Sequence, residues 1–435
     1  MAEKVVLAYS GGLDTSVSIK WIPEKYGLDV ITLTIDVGNE RDLAAIQAKA
    51  LKVGAVKALV VDAKEPFVHY FIWPALQAGA LYEGVYPLAT ALARPLIAKL
   101  LVDVARTEGA SYVAHGSTGK GNDQVRFDVS ITALAPDLKI IAPVREWRMT
   151  RDEEVEYAHK HGIPISVSTG GPYSIDLNLW GRSIECGVLE DPWAEPPEEV
   201  FAWTKAPDKT PAEPCYLEIE FEKGIPVGID GKKMGGVELI EYLTKVGGEY
   251  GVGRIDHIEN RLVGIKSREI YEAPAAIILH TAHKALEDLT LSKDAARFKE
   301  LVSERYAQLI YEGLWFSSLH QDLAAYVASS QRHVTGTIRV KLHRGTCTVV
   351  GRKSPRSLYS LTLATYDKAD QFDHSAAVGF IKLWGLPLKV QADTQMLQEP
   401  PAEIPAIAPP ILSKDKIDSS EQIEPDKMDE VAEED

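Results

Sequence analysis

Short apolar runs alternate with amphipathic stretches through the first third of the chain. VVLAY, DVITLTIDVG, KALVVDA, SYVAHG and KIIAPV have the length and β-branched content of buried parallel strands. SVSIKWIPEKY, DLAAIQAKALKVG and PLIAKLLVDVARTEG between them space their apolar residues as helices do. The alternation predicts an α/β domain with a doubly wound parallel sheet, whose ligands sit beyond the carboxyl ends of the strands. A further helix is announced by TRDEEVEYAHKHG, with Thr150 and Glu153 as a capping box and Gly162 as a stop.

Beyond GIPISVSTGGPYS the rhythm changes. Strand signals at YLEIEFEKGIPVGI and TGTIRVKLHRGTCTVV surround helices such as AARFKELVSERYAQLIYEGL, where Phe298, Leu301, Val302, Leu309 and Ile310 recur at helical spacing. The pattern predicts an α/β domain over residues 1–170 and a second α+β domain over 171–390. Residues 391–435 are rich in Pro and acid and lack material for a core, so they predict a disordered tail.

Composition changes this picture in two places. The formal net charge of -16 over 435 residues is concentrated in that tail, which holds 13 Asp and Glu against 3 Lys. The rest carries only a mild acidic balance and no basic stripe, which disfavours non-specific nucleic-acid binding and favours small-molecule partners. The three cysteines, Cys186, Cys215 and Cys347, are far apart and form no C-x-x-C pair, so reduced buried thiols are expected. No signal-peptide pattern or bilayer-length apolar run is visible, and a cytoplasmic protein without a membrane partner is expected.

The candidate chemistry begins where the first strand ends. AYSGGLDTS, Ala8 to Ser16, takes a strand into two glycines and then a helix, presenting backbone N–H groups at a helix N-terminus where an anion is favoured. Neither the Walker pattern G-x-x-x-x-G-K-[ST] nor G-x-G-x-x-G is present. A phosphate cradle here would use the amides of Gly11 to Thr15 and the hydroxyls of Ser10, Thr15 and Ser16. Asp14 inside that cradle would repel phosphate unless a divalent cation lay between them, which makes Mg²⁺ on pyrophosphate the economical reading. The bland alternative is a tight turn with Asp14 and Thr15 as helix caps. A second cluster, AHGSTGKGNDQVRFD, follows another predicted strand and puts Thr118, Lys120, Asn122, Asp123 and Arg126 on one loop. Both signs of charge there suit a zwitterionic amino acid, whereas a solvated turn is the bland reading.

Together with FIWPALQAGALYEG, TALARP, GVGRIDHIENRLVGIKSREIYE and SPRSLYS, these two strings closely resemble the argininosuccinate synthase family, in order and separation, over about residues 3–390. SGGxDxS is common to the N-type ATP pyrophosphatase superfamily, whereas the TGKGNDQVRF and GxGRxDxxENR strings are specific. The resemblance implies a C–N ligase that joins L-citrulline to L-aspartate with ATP, releasing AMP and pyrophosphate through a citrulline adenylate, in arginine biosynthesis. It also implies Mg²⁺ as cofactor and a homotetramer in which VGFIKLWGLPLKV serves an interface. Carried over by position, ATP would meet Ala8, Tyr9, Ser10, Gly11, Gly12, Leu13, Asp14, Thr15 and Ser16, with Ile35 and Gly116. Citrulline would meet Tyr86, Thr90, Asn122, Arg126, Ser174, Ser183, Glu259 and Tyr271, and aspartate Thr118, Asn122 and Asp123. Ser10, Asp14 and Asp123 would be catalytic, with Asp14 on the metal.

The chain departs from the family pattern at Ala89 and Ala91, where Gly and Ser are usual, so no hydroxyl contact comes from Ala91 and Thr90 is its substitute. Asn39 replaces a usual Gln, and nothing is claimed for its side chain. Rival adenylating enzymes of the superfamily would show an ammonia source, an RNA-binding surface or paired cysteines. A non-enzymatic relative would be expected to lose Asp14, Asp123 or Arg126. His280 and His283, at i and i+3, have no evident third metal ligand and read as helix-surface residues, and the aromatics of FIWPALQ and GLWFSSLH as core or subunit contacts.

Overall fold

In the computed structural model, which describes residues 3–39, 42–164 and 172–396, all five early apolar runs become strands of one parallel sheet. They are β1 (Lys4–Ala8), β2 (Asp29–Asp36), β3 (Lys57–Asp62), β4 (Tyr112–Ala114) and β5 (Lys139–Ile141), in the order β3-β2-β1-β4-β5. The order reverses at β1, which pairs with β2 on one side and β4 on the other. A crevice opens at such a reversal because the connections leave toward opposite faces. Helices on both faces explain why the strands are mostly apolar on both sides. Val5 and Leu7 pack toward α1 (Leu13–Tyr26) with Val17 and Ile22, while Val6 turns to the other face, in the cluster with Leu92 and Leu96 of α3 (Ala89–Glu108). Other helices of this half include α2 (Leu43–Val53), α4 (Asn122–Leu134) and α5 (Arg151–Lys160), the last with the Thr150–Glu153 capping box in place.

The second half holds two antiparallel sheets. β6 (Ser174–Asn178), β7 (Gly181–Glu185), β11 (Arg254–Asn260) and β12 (Lys266–Glu272) form one, ordered β11-β12-β7-β6. β8 (Cys215–Glu222), β9 (Ile225–Ile229), β10 (Lys232–Lys233), β13 (Gly336–His343) and β14 (Thr346–Lys353) form the other, ordered β10-β9-β8-β13-β14. α6 (Gly236–Glu249), α7 (Pro274–Thr290), α8 (Lys293–Tyr311) and α9 (Ser318–Ser330) accompany them. Both halves share one hydrophobic core, and residues 1–359 make one compact unit.

The described residues from Ser360 on belong to a second unit containing α10 (His374–Trp384) and α11 (Leu386–Gln391). Phe380, Ile381, Leu383 and Trp384 lie exposed on α10. Helical backbone continues through Ala392–Met396, so the start of the expected tail at 391 is regular structure, and residues 397–435 lie outside the described residues.

Three local expectations are corrected. His280 and His283 are buried, because α7 is packed between β13, β14, α6 and neighbouring helices rather than lying on the surface. His283 Nε2 pairs with Gln331 Oε1 at 2.9 Å, and among the described residues no group of three or more His, Cys, Asp or Glu is arranged to hold a metal. Phe298 and Leu301 are exposed on α8, whose core face instead carries Val302, Tyr306, Leu309 and Ile310. The three cysteines are free thiols, but half-buried rather than buried.

Candidate active site

The turn after β1 explains its own composition. Gly11 adopts φ +78°, and a Cβ there would press on Ile46 of α2 at 3.1 Å, so the position favours glycine twice over. Lys49, one turn along α2, donates to the Gly11 carbonyl at 2.8 Å and so holds the loop from behind; burial lowers its pKa. Gly12 is the N-cap of α1 and no side chain caps that helix, so its first-turn N–H groups are left for a ligand. The reading of Asp14 and Thr15 as caps therefore fails. Ser16, fully buried, donates to the Gly12 carbonyl at 2.7 Å and lies 3.1 Å from the Tyr9 hydroxyl, while Leu13 faces the core. These two residues build the loop, whereas Ala8, Tyr9, Ser10, Gly12, Asp14 and Thr15 line a cavity of about 240 Å³ in front of it.

Ile35 at the end of β2 and Gly116 beyond β4 line the same cavity, as does Asp123. Gly116 is required by close approach, since a Cβ there would lie 2.8 Å from the Thr15 methyl. The segment after β4 is anchored by His115, whose Nδ1 accepts from the Ser117 N–H at 3.2 Å. That fixes Nε2 as the protonated nitrogen, donating to Asp128 at 2.8 Å. α4 begins after Gly121, again without a side-chain cap.

Asp14 is met by Arg151 of α5, with Nη1 3.0 Å from Oδ1. The same guanidinium nitrogen lies 3.9 Å from Glu154, whose carboxyl is pushed up to about 8 by its burial and then by Asp14. Neither Arg151 nor Glu154 carried a sequence signal beyond the helix that contains it.

A second cluster forms where α4 meets the second half of the chain. Glu259 of β11 accepts from the Tyr271 hydroxyl on β12 at 2.5 Å and from Asn122 Nδ2 at 3.4 Å. Tyr271 stacks on Tyr86 with ring centroids 4.2 Å apart, and the Tyr86 hydroxyl accepts from the Thr90 N–H at 3.1 Å. Ser183 pairs with Tyr271 across the β7–β12 ladder, and its hydroxyl donates to the Asp176 carbonyl at 3.4 Å. Arg126 donates to Asp123 at 2.9 Å and is 97% buried, yet its Nη2 has no partner. Two expected residues stand apart. Thr118 is exposed on the loop before α4, and Ser174, exposed at the start of β6, pairs with Glu185 across its ladder.

Arg94, inside the quoted TALARP string but not singled out as a residue, joins the two clusters. Its Nε donates to Asp123 at 2.9 Å, and Nη2 reaches Asp176 as well. Burial alone would raise the Asp123 carboxyl; Arg94 and Arg126 together hold it below the usual carboxylate range. Tyr311 is a further residue missed. Its only sequence signal was an aromatic at the end of a helical pattern, which usually means packing.

The sequence that builds this site is matched by relatives. The arginosuccinate synthase N-terminal HUP domain matches residues 4–164, and the arginosuccinate synthase C-terminal domain matches residues 173–391. An argininosuccinate synthase of Dehalococcoides mccartyi is 63% identical over 399 residues, covering 92% of this chain and 98% of its own. Those of Oceanobacillus iheyensis and Symbiobacterium thermophilum are each 59% identical, covering 90% of this chain and 94% and 98% of theirs. With both domain profiles matched in order and the relatives aligned over nearly their whole length, the chain belongs to the argininosuccinate synthase family and is a ligase.

Proposed function

We propose that this chain condenses L-citrulline with L-aspartate at the expense of ATP, giving argininosuccinate, AMP and pyrophosphate in arginine biosynthesis. The observation that carries the reading is Arg126, a buried guanidinium with one nitrogen unpartnered, which shares Tyr311 as a neighbour with the buried carboxylate of Glu259. An unsatisfied charged donor costs stability unless a ligand completes it. A carboxylate for Arg126 and an ammonium for Glu259 are the two ends of a free amino acid, which supports citrulline there. The uncapped amides of α1 support the triphosphate, and Asp123 with Asn122 supports aspartate beside it.

In this reading the ureido oxygen of citrulline attacks the α-phosphorus, pyrophosphate leaves into the loop of Ser10 to Ser16, and the amine of aspartate then displaces AMP from the adenylate. The loop amides and the hydroxyls of Ser10 and Thr15 stabilise charge on the leaving group. Asp14 with those hydroxyls is a donor set suited to Mg²⁺ that takes its other ligands from phosphate and water. The metal would neutralise pyrophosphate charge. Arg151, more than half exposed, is free to leave Asp14 when that carboxylate changes partner. The family expectation extends to a cytoplasmic homotetramer, and the exposed apolar face of α10 supports an interface. No helix among the described residues is long and apolar enough to cross a membrane.

Citrulline labelled with oxygen-18 in its ureido group tests the mechanism. Label is expected in AMP, and formation of ADP or of unlabelled AMP would overturn it.

A further inference from the structure

Tyr311 ends α8 and is almost wholly buried, and its phenol lies between the halves of the amino-acid cluster. The direction of its hydrogen bonds follows from one backbone donor. The Leu262 N–H can only donate, and it reaches Asn122 Oδ1 at 3.0 Å, so the other end of that amide must be the NH₂. That NH₂ donates to the Tyr311 oxygen at 2.7 Å. With its oxygen accepting, Tyr311 directs its own proton to Glu259 Oε1, opposite the proton that Tyr271 gives to Oε2. The chain from Leu262 to Asn122, Tyr311 and Glu259 thus runs one way only and ends on a carboxylate.

The same residue also fixes the cation. The Tyr311 carbonyl accepts from Arg126 Nε at 2.9 Å, and the Arg126 guanidinium lies over its ring, 4.8 Å from the centroid. Gly313, at φ +77°, lets the chain leave the helix against Arg126; a Cβ there would fall 2.8 Å from the Arg126 Cα. On its far side the Tyr311 ring is stacked on Tyr82, with centroids 3.6 Å apart and planes at 1°. A ring needed only for packing would have no use for a hydroxyl held by two polar side chains.

We infer that Tyr311 is a positioning residue for the amino-acid substrate, fixing Glu259 and Arg126 at the separation that an ammonium and a carboxylate on one carbon require. The inference rests on the citrulline assignment proposed above. Tyr311 acts through those two residues and does not touch the reacting atoms.

The test is Tyr311→Phe in the full chain, assayed by pyrophosphate release. The KM for citrulline is expected to rise about tenfold, the size of effect for one charge-assisted hydrogen bond, while the KM for ATP stays within about twofold. Discrimination between citrulline and 5-ureidopentanoate, which lacks the α-amino group, is expected to fall. Adding Tyr311→Phe to Glu259→Gln is expected to cost less than it does in the wild-type background. If Tyr311→Phe does not fold, Tyr82→Leu, which strips the stacked ring and leaves the hydroxyl relay, reads the same split between the two KM values. An unchanged citrulline KM, or an ATP KM that rises equally, overturns the inference. An active wild type with an unaffected variant overturns this inference alone, whereas a wild type without citrulline-dependent release overturns the functional reading and this inference with it.

Discussion

The phosphate loop and the amino-acid cluster are built in opposite ways. The loop is nine consecutive residues between one strand and one helix, and what it offers is mostly backbone: amides at an uncapped helix start, with two hydroxyls and a carboxylate around them. The cluster takes side chains from α4, β7, β11, β12 and α8, nearly all buried, and holds them with hydrogen bonds between residues more than a hundred positions apart. A contiguous loop can tolerate change around it but not in its own backbone conformation. A dispersed cluster depends on every element that delivers a side chain, and losing one partner leaves another charge buried and unpaired.

The sharpest way to break this contrast is at Arg126. Arg126→Ala is expected to reduce pyrophosphate release in a single turnover of ATP with citrulline by about 10² to 10³-fold, since removing one member of a buried charge pair costs about 3 to 5 kcal/mol. Asp123→Ala is expected to keep part of that release and to lose argininosuccinate formation when aspartate is added. The 2.9 Å contact between Asp123 and Arg126, with Arg94 on the same carboxylate, explains why the Asp123 variant does not leave the first step untouched. Rapid-quench measurement of both products decides it, and equal loss of pyrophosphate release in the two variants would abolish the division of roles.

Asp14→Asn comes next. It keeps the shape of the loop and removes the charge, and turnover is expected to fall on the order of 10²-fold while the variant stays folded. Near-normal turnover at limiting Mg²⁺ would take Asp14 out of the chemistry. Gly11→Ala tests whether the loop depends on its backbone. A left-handed φ with a side chain costs about 1 to 2 kcal/mol, so the KM for ATP is expected to rise roughly tenfold with citrulline affinity retained.

The smallest effect concerns pH. Glu154 titrates at about 8 in the folded protein, raised by burial and by Asp14, against an ordinary carboxyl value in the unfolded chain. A raised carboxyl favours the folded state most at low pH, and that contribution fades as pH climbs from the unfolded value through 8. Wild-type protein is therefore expected to lose melting temperature relative to Glu154→Gln between pH 5 and pH 9, on the order of 3 °C. A difference that is flat across that range would remove the buried acid from beside the loop.

The contrast also decides what could be read without coordinates. The parallel sheet and the loop were legible because their determinants are local: apolar runs of strand length, two glycines, a helix behind them. The strand-to-helix turn at Gly11–Gly12 follows from residues that are neighbours in the chain. The citrulline set came from family resemblance instead, since no periodicity brings Glu259 to Asn122. Arg94 and Tyr311 went unnoticed individually because their roles exist only once α3, α4 and α8 are packed. The burial of His280 and His283 was hidden for the same reason, as an i, i+3 pair reads alike on a buried and an exposed helix. Ser174 and Thr118 are exposed, and the resemblance alone carries their assignment.

Because Asn122 and Arg126 come from one half of the chain and Glu259, Tyr271 and Tyr311 from the other, the buried cluster is itself the seam between them. Neither half carries this cluster on its own. Recombination that joined the first half of one relative to the second half of another would have to preserve both sides of this seam together, so the two domains are free to diverge on their outer surfaces and bound to one lineage where they meet.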